Sequence, residues 1–311
     1  MALAEAPGSY GPRGWSARGA RLLSLGAIPP PALVLLGVVS VQVGAGLAKQ
    51  LFSVLPPTAV VMLRLVTSTL VLAFMGRRAL RGLLRGHTRR DFLVAAAFGL
   101  TLALMNASIY LSFQRIPLGV AVTIEFLGPL AIAIAASRRF VDLVWAALAF
   151  AGVLLLARGD GDVDLVGVGL ALLAGVGWAG YILLSAATGR RFAGSTGLLL
   201  ASAVAAVVML PMGVASGGTA LLSPELLLLG LGVGVLSSVI PYTLELEALR
   251  RMPARVFGIL MSLEPAVAAL VGLVVLHEVL SGREWVAIGC VMVACIGATR
   301  SQQDPPEAAE V

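Results

Sequence analysis

The stretch QRIPLGVAVTIEFLGPL, residues 114–130, decides the fold of this chain, because it sets an acid and a second proline inside an otherwise apolar segment. The pattern occurs twice. Shifted by 136 residues, it returns as RRMPARVFGILMSLEP, residues 250–265. The matching pairs are Arg115 and Arg251, Pro117 and Pro253, Leu127 and Leu263, and Pro129 and Pro265. Such an internal duplication predicts a fold made of two similar halves.

The composition places this chain in a membrane. Hydrophobic residues make up 59% of the 311 and charged residues only 12%, whereas a soluble domain carries about 25% charged residues. Apolar runs of roughly 18 or more residues recur along the chain, and such runs are typical of transmembrane helices. The sequence therefore predicts an all-α membrane protein with ten transmembrane helices. Their approximate spans are 32–53, 57–76, 91–113, 117–138, 141–158, 165–187, 195–215, 224–249, 254–276 and 284–300.

The net charge of +6 does not indicate a nucleic-acid partner, because the basic residues follow membrane topology. With the N-terminus in the cytoplasm, 17 of the 22 basic residues fall in inner segments, and the outer turns hold only Arg115, Arg158 and Arg283. The positive-inside rule then predicts that both termini are cytoplasmic.

The duplication and the helix count together predict inverted halves. Five predicted helices precede the loop at 159–164 and five follow it, and an odd repeat must enter the membrane from opposite sides in its two copies. We expect two inverted five-helix repeats, an arrangement typical of secondary transporters, whose site lies near the midplane between the halves. The predicted division is a disordered cytoplasmic tail at 1–31, a first repeat at 32–158, an outer linker at 159–164, a second repeat at 165–300 and a disordered tail at 301–311.

Several polar residues fall inside these apolar spans, where a charge costs at least about 2.5 to 3.5 kcal/mol on insertion scales. At 1.5 Å rise per residue, Arg64 and Glu125 both lie roughly 10 Å below the outer membrane face and could form an ion pair, either functional or purely structural. Asn106 comes to a similar level, whereas Gln42 and Glu264 fall near the midplane. Buried ionisable residues in membranes usually mark a functional site, so these residues are candidates for binding a substrate.

Two prolines are expected to break helices beside these acids. Pro129 cannot donate a backbone hydrogen bond to the carbonyl of Glu125, and Pro265 leaves the carbonyl of Met261 free next to Glu264. Irregular helix at membrane depth is tolerated only beside protein or water. Discontinuous helices of this kind form substrate sites in transporters.

Other candidates have plainer alternatives. Lys49 lies about one turn from its helix end and could snorkel to the outer surface. Glu245 and Glu247 are two residues apart and point to different faces, so at least one faces headgroups or the neighbouring arginines. Aromatic residues more often pack than bind ligand, but Trp178 and Tyr181 fall well inside the sixth predicted helix and are kept as candidates.

Catalytic and metal-binding patterns are not found in the sequence. It has no H-E-x-x-H motif, and Cys290 and Cys295 are five residues apart, which is neither a disulfide nor a metal spacing. The aspartates at 160, 162 and 164 lack the downstream glutamate of a calcium loop. We predict no enzyme activity, no metal and no cofactor; an intramembrane enzyme remains the alternative from a different class.

The chain resembles the threonine and homoserine exporters of the drug/metabolite transporter superfamily, which have two EamA-type domains. The resemblance extends over roughly 32–300. It is carried by residues 42–49, 115–130, 137–139, 178–182, 236–245 and 257–265.

This resemblance implies a carrier of the bacterial inner (plasma) membrane that exports small neutral amino acids, by proton antiport. It implies a central cavity lined by the first, third, fourth, sixth, eighth and ninth helices. The positions that match the family are Gln42, Lys49, Arg64, Asn106, Glu125, Trp178, Tyr181, Tyr242, Glu245 and Glu264. Glu247 departs from the family, which more often has an apolar residue there, so it receives no role.

The candidate chemistry suits an amino acid. A zwitterion needs a cation for its carboxylate and an anion for its ammonium, and Arg64 with Glu125 or Glu264 could supply both. A carboxyl group in a low-dielectric cavity takes up a proton more readily than in water, so Glu125, Glu264 or Glu245 could couple export to protons. The alternative is a carrier of the same fold for other metabolites or drugs, because fold does not fix substrate.

Overall fold

The structure, a computed structural model, describes residues 28–76, 86–135, 140–157, 164–192 and 196–301. The tails predicted at 1–31 and 301–311 and the linker predicted at 159–164 lie outside the described residues, except for residues 28–31, Asp164 and Ser301.

All the regular elements in these ranges are helices. They are α1 (Pro30–Leu51), α2 (Pro57–Gly76), α3 (Arg89–Phe113), α4a (Leu118–Glu125), α4b (Leu127–Ala135), α5 (Val141–Ala157), α6 (Leu165–Gly189), α7 (Thr196–Gly217), α8a (Pro224–Gly234), α8b (Ile240–Leu249), α9a (Ala254–Met261), α9b (Glu264–Val275) and α10 (Gly282–Ser301). A 3₁₀ turn, Gly218–Leu222, follows α7, and a π-helical segment, Val235–Val239, joins α8a to α8b.

Nine of the ten membrane spans predicted from the apolar runs are confirmed, and the fifth is a shorter apolar helix. In the described ranges, nine helical stretches are long and apolar enough to cross a bilayer, with α4a and α4b, α8a and α8b, and α9a and α9b each acting as one stretch. The apolar run at Val141–Leu156 in α5 is shorter. The chain is therefore an all-α, multi-pass membrane protein.

Apart from the seventh span, which ends in the 3₁₀ turn, three spans are interrupted within their length. The fourth turns at Phe126, three residues before Pro129, and the ninth turns at 262–263, directly before Glu264 and Pro265. The eighth changes to a π-helix at 235–239, directly before Ile240 and Pro241. The breaks place the carboxylates of Glu125 and Glu264 at helix ends instead of mid-helix.

Small residues let the broken helices approach their neighbours. A Cβ atom at Gly128 of α4b would overlap the backbone carbonyl of Gly175 in α6. A Cβ atom at Gly119 of α4a would lie 2.6 Å from the Cα atom of Ala269 in α9b. In membranes such small-residue contacts replace the hydrophobic effect as the source of helix association. They hold α4a and α4b against the helices that carry the other candidate residues.

A polar cavity as the candidate functional site

One cavity of about 460 Å³ collects the candidate residues. The eight predicted substrate-binding residues and Glu245 all line it: Gln42 from α1, Arg64 from α2, Asn106 from α3, Glu125 from α4a, Trp178 and Tyr181 from α6, Tyr242 and Glu245 from α8b, and Glu264 from α9b. Pro129 also lines the cavity, whereas Pro265 is buried beside it. The volume is within the range of about 300 to 1,000 Å³ usual for small-molecule sites. Two helices beyond the expected set contribute: α2, and α10 through Cys295 and Thr299.

Arg64 is held by uncharged acceptors. Its Nη1 atom donates to the Tyr110 hydroxyl at 3.1 Å, its Nη2 atom to the Ser237 carbonyl oxygen at 3.1 Å, and its Nε atom to the Ser238 hydroxyl at 3.3 Å. Across the described residues, the guanidinium has no carboxylate oxygen within 4 Å. Arg64 and Glu125 therefore do not form the ion pair that their similar predicted depth in the membrane would allow. The cation is fixed in position but its charge is not neutralised.

Glu264 and Gln42 form the second polar contact of the cavity. The Gln42 Nε2 atom donates to Glu264 Oε1 at 2.8 Å, and both side chains are buried. Within the described part of the chain, Gln42 Oε1 and Glu264 Oε2 have no hydrogen-bond partner. Buried polar atoms are nearly always satisfied in proteins, so two neighbouring orphan acceptors are a feature that needs a donor.

Two further carboxyl groups reach the cavity without a cation. Glu125, at the end of α4a, is 9% exposed, and Glu245 of α8b lies against Gly37 of α1, where a Cβ atom would be 3.7 Å from its Oε1 atom. Among the described residues neither has a basic partner within 4 Å. The cavity thus holds three carboxyl groups and one guanidinium.

The remaining predicted residues shape the cavity wall. Asn106 donates to the Leu102 carbonyl of its own helix at 2.8 Å, which fixes its amide. Trp178 packs edge-to-face on Phe126 with ring centroids 4.7 Å apart, and Tyr181 packs on Phe98 at 5.2 Å. The Phe126 contact places Trp178 at the break between α4a and α4b.

Lys49 and Glu247 lie apart from the cavity lining. Lys49 forms a salt bridge with Glu278 at 2.6 Å and so turns toward protein rather than lipid headgroups. Glu247 lies 3.7 Å from Arg250 and 3.8 Å from Arg251, as expected for one acid of the Glu245 and Glu247 pair.

Sequence reasoning missed four residues that these contacts bring forward. None of Tyr110, Ser237, Ser238 and Glu278 was a candidate from the sequence. The sequence did carry one signal for Ser237, because Pro241 follows it by four residues and cannot donate to its carbonyl. Nothing in the sequence pairs Glu278 with Lys49, which is 229 residues away.

An all-helical multi-pass chain with a partly charged cavity between broken helices has the architecture of a membrane carrier. Residues 165–300 match the EamA-like transporter family. The chain is 41% identical to the threonine/homoserine exporter RhtA of Salmonella typhimurium over 286 residues, which cover 91% of this chain and 95% of that protein. It is also 41% identical to RhtA of Escherichia coli over 274 residues, covering 87% of this chain and 91% of the relative.

The chain therefore belongs to the EamA-like transporters and, among them, to the family of the RhtA exporters. A solved crystal structure of another protein shares the fold, with a TM-score of 0.56 and 18% identity over 86% of this chain and 96% of that chain.

Proposed function

We propose that this protein is a carrier of the bacterial inner membrane that exports small neutral amino acids such as threonine and homoserine, by proton antiport with alternating access. One observation carries the proposal: a single cavity holds a fixed, unneutralised guanidinium together with three carboxyl groups that have no cation within 4 Å in the described chain. The names of the relatives support the choice of substrate.

The two ends of a zwitterion match the two polar parts of the cavity. Arg64 binds the substrate carboxylate, because a guanidinium recognises a carboxylate with two parallel hydrogen bonds. The orphan acceptors Gln42 Oε1 and Glu264 Oε2 bind the ammonium, which has three N–H donors to satisfy them. A neutral amino acid therefore removes unsatisfied polar groups at both ends of the site.

The excess of carboxyl groups supports coupling to protons. Three ionised carboxylates near one cation in a low-dielectric cavity repel one another, and a proton or a substrate ammonium relieves that repulsion. The two species thus compete for the same groups, which is the requirement for antiport. Glu125, Glu264 and Glu245 are the proposed proton carriers, with Glu264 also in direct contact with substrate.

The placement of the lining residues supports alternating access. Gln42, Arg64, Asn106 and Glu125 come from the first proposed repeat, 32–158, and Tyr242 and Glu264 are among those from the second, 165–300. A site between two halves opens to either side when the halves rock about it. In the orientation we propose, both termini are cytoplasmic.

The test is export of labelled threonine and homoserine from cells that contain the protein, with and without a collapsed proton gradient. We expect gradient-sensitive export that falls at least about tenfold in the Glu125→Gln and Glu264→Gln variants. A tenfold loss corresponds to about 1.4 kcal/mol, and we expect a carboxyl group that carries the coupled proton to contribute at least that much. Glu247→Gln is the matched control, since Glu247 pairs with Arg250 outside the cavity lining.

Two results would contradict parts of the proposal. Unchanged export and unchanged pH dependence in both Gln variants would refute coupling through these residues. No export of either amino acid by protein shown to reach the membrane would refute the substrate and favour another metabolite or drug.

A further inference from the structure

The π-helical segment 235–239 ends directly before a proline. The Ile240 N–H donates to the Val235 carbonyl, five residues back, which is the π pattern. The next residue would donate to Leu236 in the same register, or to Ser237 in an α-helix. Pro241 has no N–H and can do neither. The carbonyl groups of Leu236 and Ser237 therefore lack the backbone N–H donor that residue 241 would otherwise provide.

Side chains from two neighbouring helices take these carbonyl groups. Ser40 of α1 donates to the Leu236 oxygen at 2.8 Å, and Arg64 of α2 donates to the Ser237 oxygen at 3.1 Å. The adjacent Ser238 hydroxyl accepts from Arg64 Nε at 3.3 Å. The segment thus supplies two of the three acceptors that hold the guanidinium.

Close helix packing fixes the segment beside Arg64. A Cβ atom at Gly230 would lie 2.6 Å from Leu63 Cδ1, and one at Gly234 would lie 2.6 Å from Thr67 Cβ. Leu63 and Thr67 flank Arg64 on α2. On the other side, Ser237 occupies the space left by the missing side chain of Gly44 in α1.

The three bonds leave the guanidinium ready for an anion. They use three of its five N–H groups, so each terminal nitrogen keeps one N–H, as bidentate carboxylate binding requires. Because the acceptors are neutral, they orient the side chain and leave its charge available. An acidic partner at the same place would compete with the substrate.

We infer that Pro241 is a positioning residue that makes this carrier selective for substrates with a carboxylate, by freeing the carbonyl group that anchors Arg64. The inference rests on the proposed function, since it takes the substrate to be an amino acid. Pro241 acts through Arg64, and its effect is confined to the carboxylate end of the substrate.

The experiment measures threonine uptake by purified protein in proteoliposomes, with L-threoninol, which lacks the carboxylate, as a competitor. In Pro241→Ala the new N–H competes for the Ser237 carbonyl. We expect the threonine concentration for half-maximal uptake to rise about three- to tenfold, less than the roughly 10- to 100-fold of a charged hydrogen bond lost outright. The maximal rate and the inhibition by threoninol should stay within about twofold, because neither depends on the carboxylate contact.

Two further variants separate positioning from folding. Ser238→Ala removes the acceptor of Arg64 Nε without altering the backbone, so it should repeat the selective loss of threonine affinity. Ser40→Ala removes the side-chain donor to the Leu236 carbonyl and leaves all three acceptors of Arg64 in place, so it should leave threonine affinity unchanged.

The failures can be told apart. Equal losses for threonine and threoninol in Pro241→Ala and Ser238→Ala, or no loss in either, would overturn the inference while wild-type uptake upholds the proposed function. Absence of threonine and homoserine uptake by the wild-type protein would overturn both.

Discussion

The Lys49 Nζ atom lies 2.6 Å from the Glu278 Oε1 atom and joins the end of α1 to the loop between α9b and α10. Lys49 also donates to the Ile116 carbonyl oxygen, and the second Glu278 oxygen accepts from the Leu118 N–H, both at 2.8 Å. Leu118 is the first residue of α4a, where a helix has orphan N–H groups. Three segments that are distant in the sequence therefore meet at one shielded ion pair.

Replacing Lys49 with Met should destabilise the protein. The apolar stem is kept, but Glu278 loses its cation while only 16% of its side chain is exposed. We expect a loss of about 1 to 3 kcal/mol in the free energy of unfolding, the usual cost of stranding a buried polar group. Equilibrium unfolding in detergent measures it.

A double-mutant cycle with Glu278→Gln checks that the pair is the cause. We expect a coupling of at least about 0.5 kcal/mol between the two substitutions, because contacting residues are not additive. Additive effects would show that Lys49 acts through Ile116 alone.

Two glutamines of α1 allow a matched comparison of substrate affinity, because Gln42 lines the cavity and Gln50 does not. Gln42→Ala removes the only described donor to Glu264, so substrate affinity should fall about 10-fold or more, as expected for a hydrogen bond to a carboxylate. Gln50→Ala removes an exposed bond to the Val275 carbonyl outside the cavity lining and should change affinity less than about twofold. Threonine binding to the purified variants distinguishes them, and equal affinities would remove Gln42 from the site.

Two glycines test the packing of the broken fourth span. Gly128→Ala forces a methyl group onto the Gly175 carbonyl, and we expect it to cost about 1 to 3 kcal/mol or more of stability, since backbone cannot move aside as a side chain can. Gly232→Ala meets nothing within 4 Å and should gain up to about 1 kcal/mol from helix propensity. Thermal unfolding in detergent compares them; a destabilised Gly232→Ala or a neutral Gly128→Ala would contradict this packing.

The membrane spans could be predicted from the sequence because bilayer thickness sets the length of an apolar run, whatever its neighbours are. The residues of the cavity could be predicted as site candidates for a similar reason. A charged side chain such as Arg64 or Glu264 inside an apolar run is energetically costly and usually marks a functional site. Depth along a helix, however, is a one-dimensional coordinate. It placed Arg64 and Glu125 at one level but gave no rotation about the helix axis, so it could not show that Tyr110 and Ser238 hold the guanidinium instead.

The π-helical segment could not be predicted from the sequence for a related reason. Pro241 signals that a carbonyl is freed, but whether the chain kinks, shifts register or recruits a side chain depends on which helices lie beside it. Here Ser40 and Arg64 arrive from α1 and α2, and contacts at Gly44 and Gly234 bring them close. Pairings between distant segments are properties of the assembled bundle.

The outer turn before α6 gives a prediction about pH. Asp164 accepts from the Gly167 N–H at 2.9 Å and pairs with Arg115 at 3.0 Å, and these contacts, the backbone bond first, hold the pKa of Asp164 below its usual value. A carboxyl group whose pKa is lower in the folded state stabilises the fold above its unfolded pKa, about 3.9, and loses that contribution as the pH falls through the folded value.

Asp164→Ala should therefore lower the melting temperature at pH 7, because α6 loses its N-cap. The difference from wild type should begin to narrow as the pH falls below about 4, where the carboxyl group binds a proton in the unfolded chain first and in the folded protein only at a lower pH. Melting curves of both proteins in one detergent across pH 3 to 7 test this. Arg115→Gln should lower the melting temperature by a smaller amount, and that decrease should depend on pH in the same way. A difference that stays constant over this range would mean that the cap contributes without its charge.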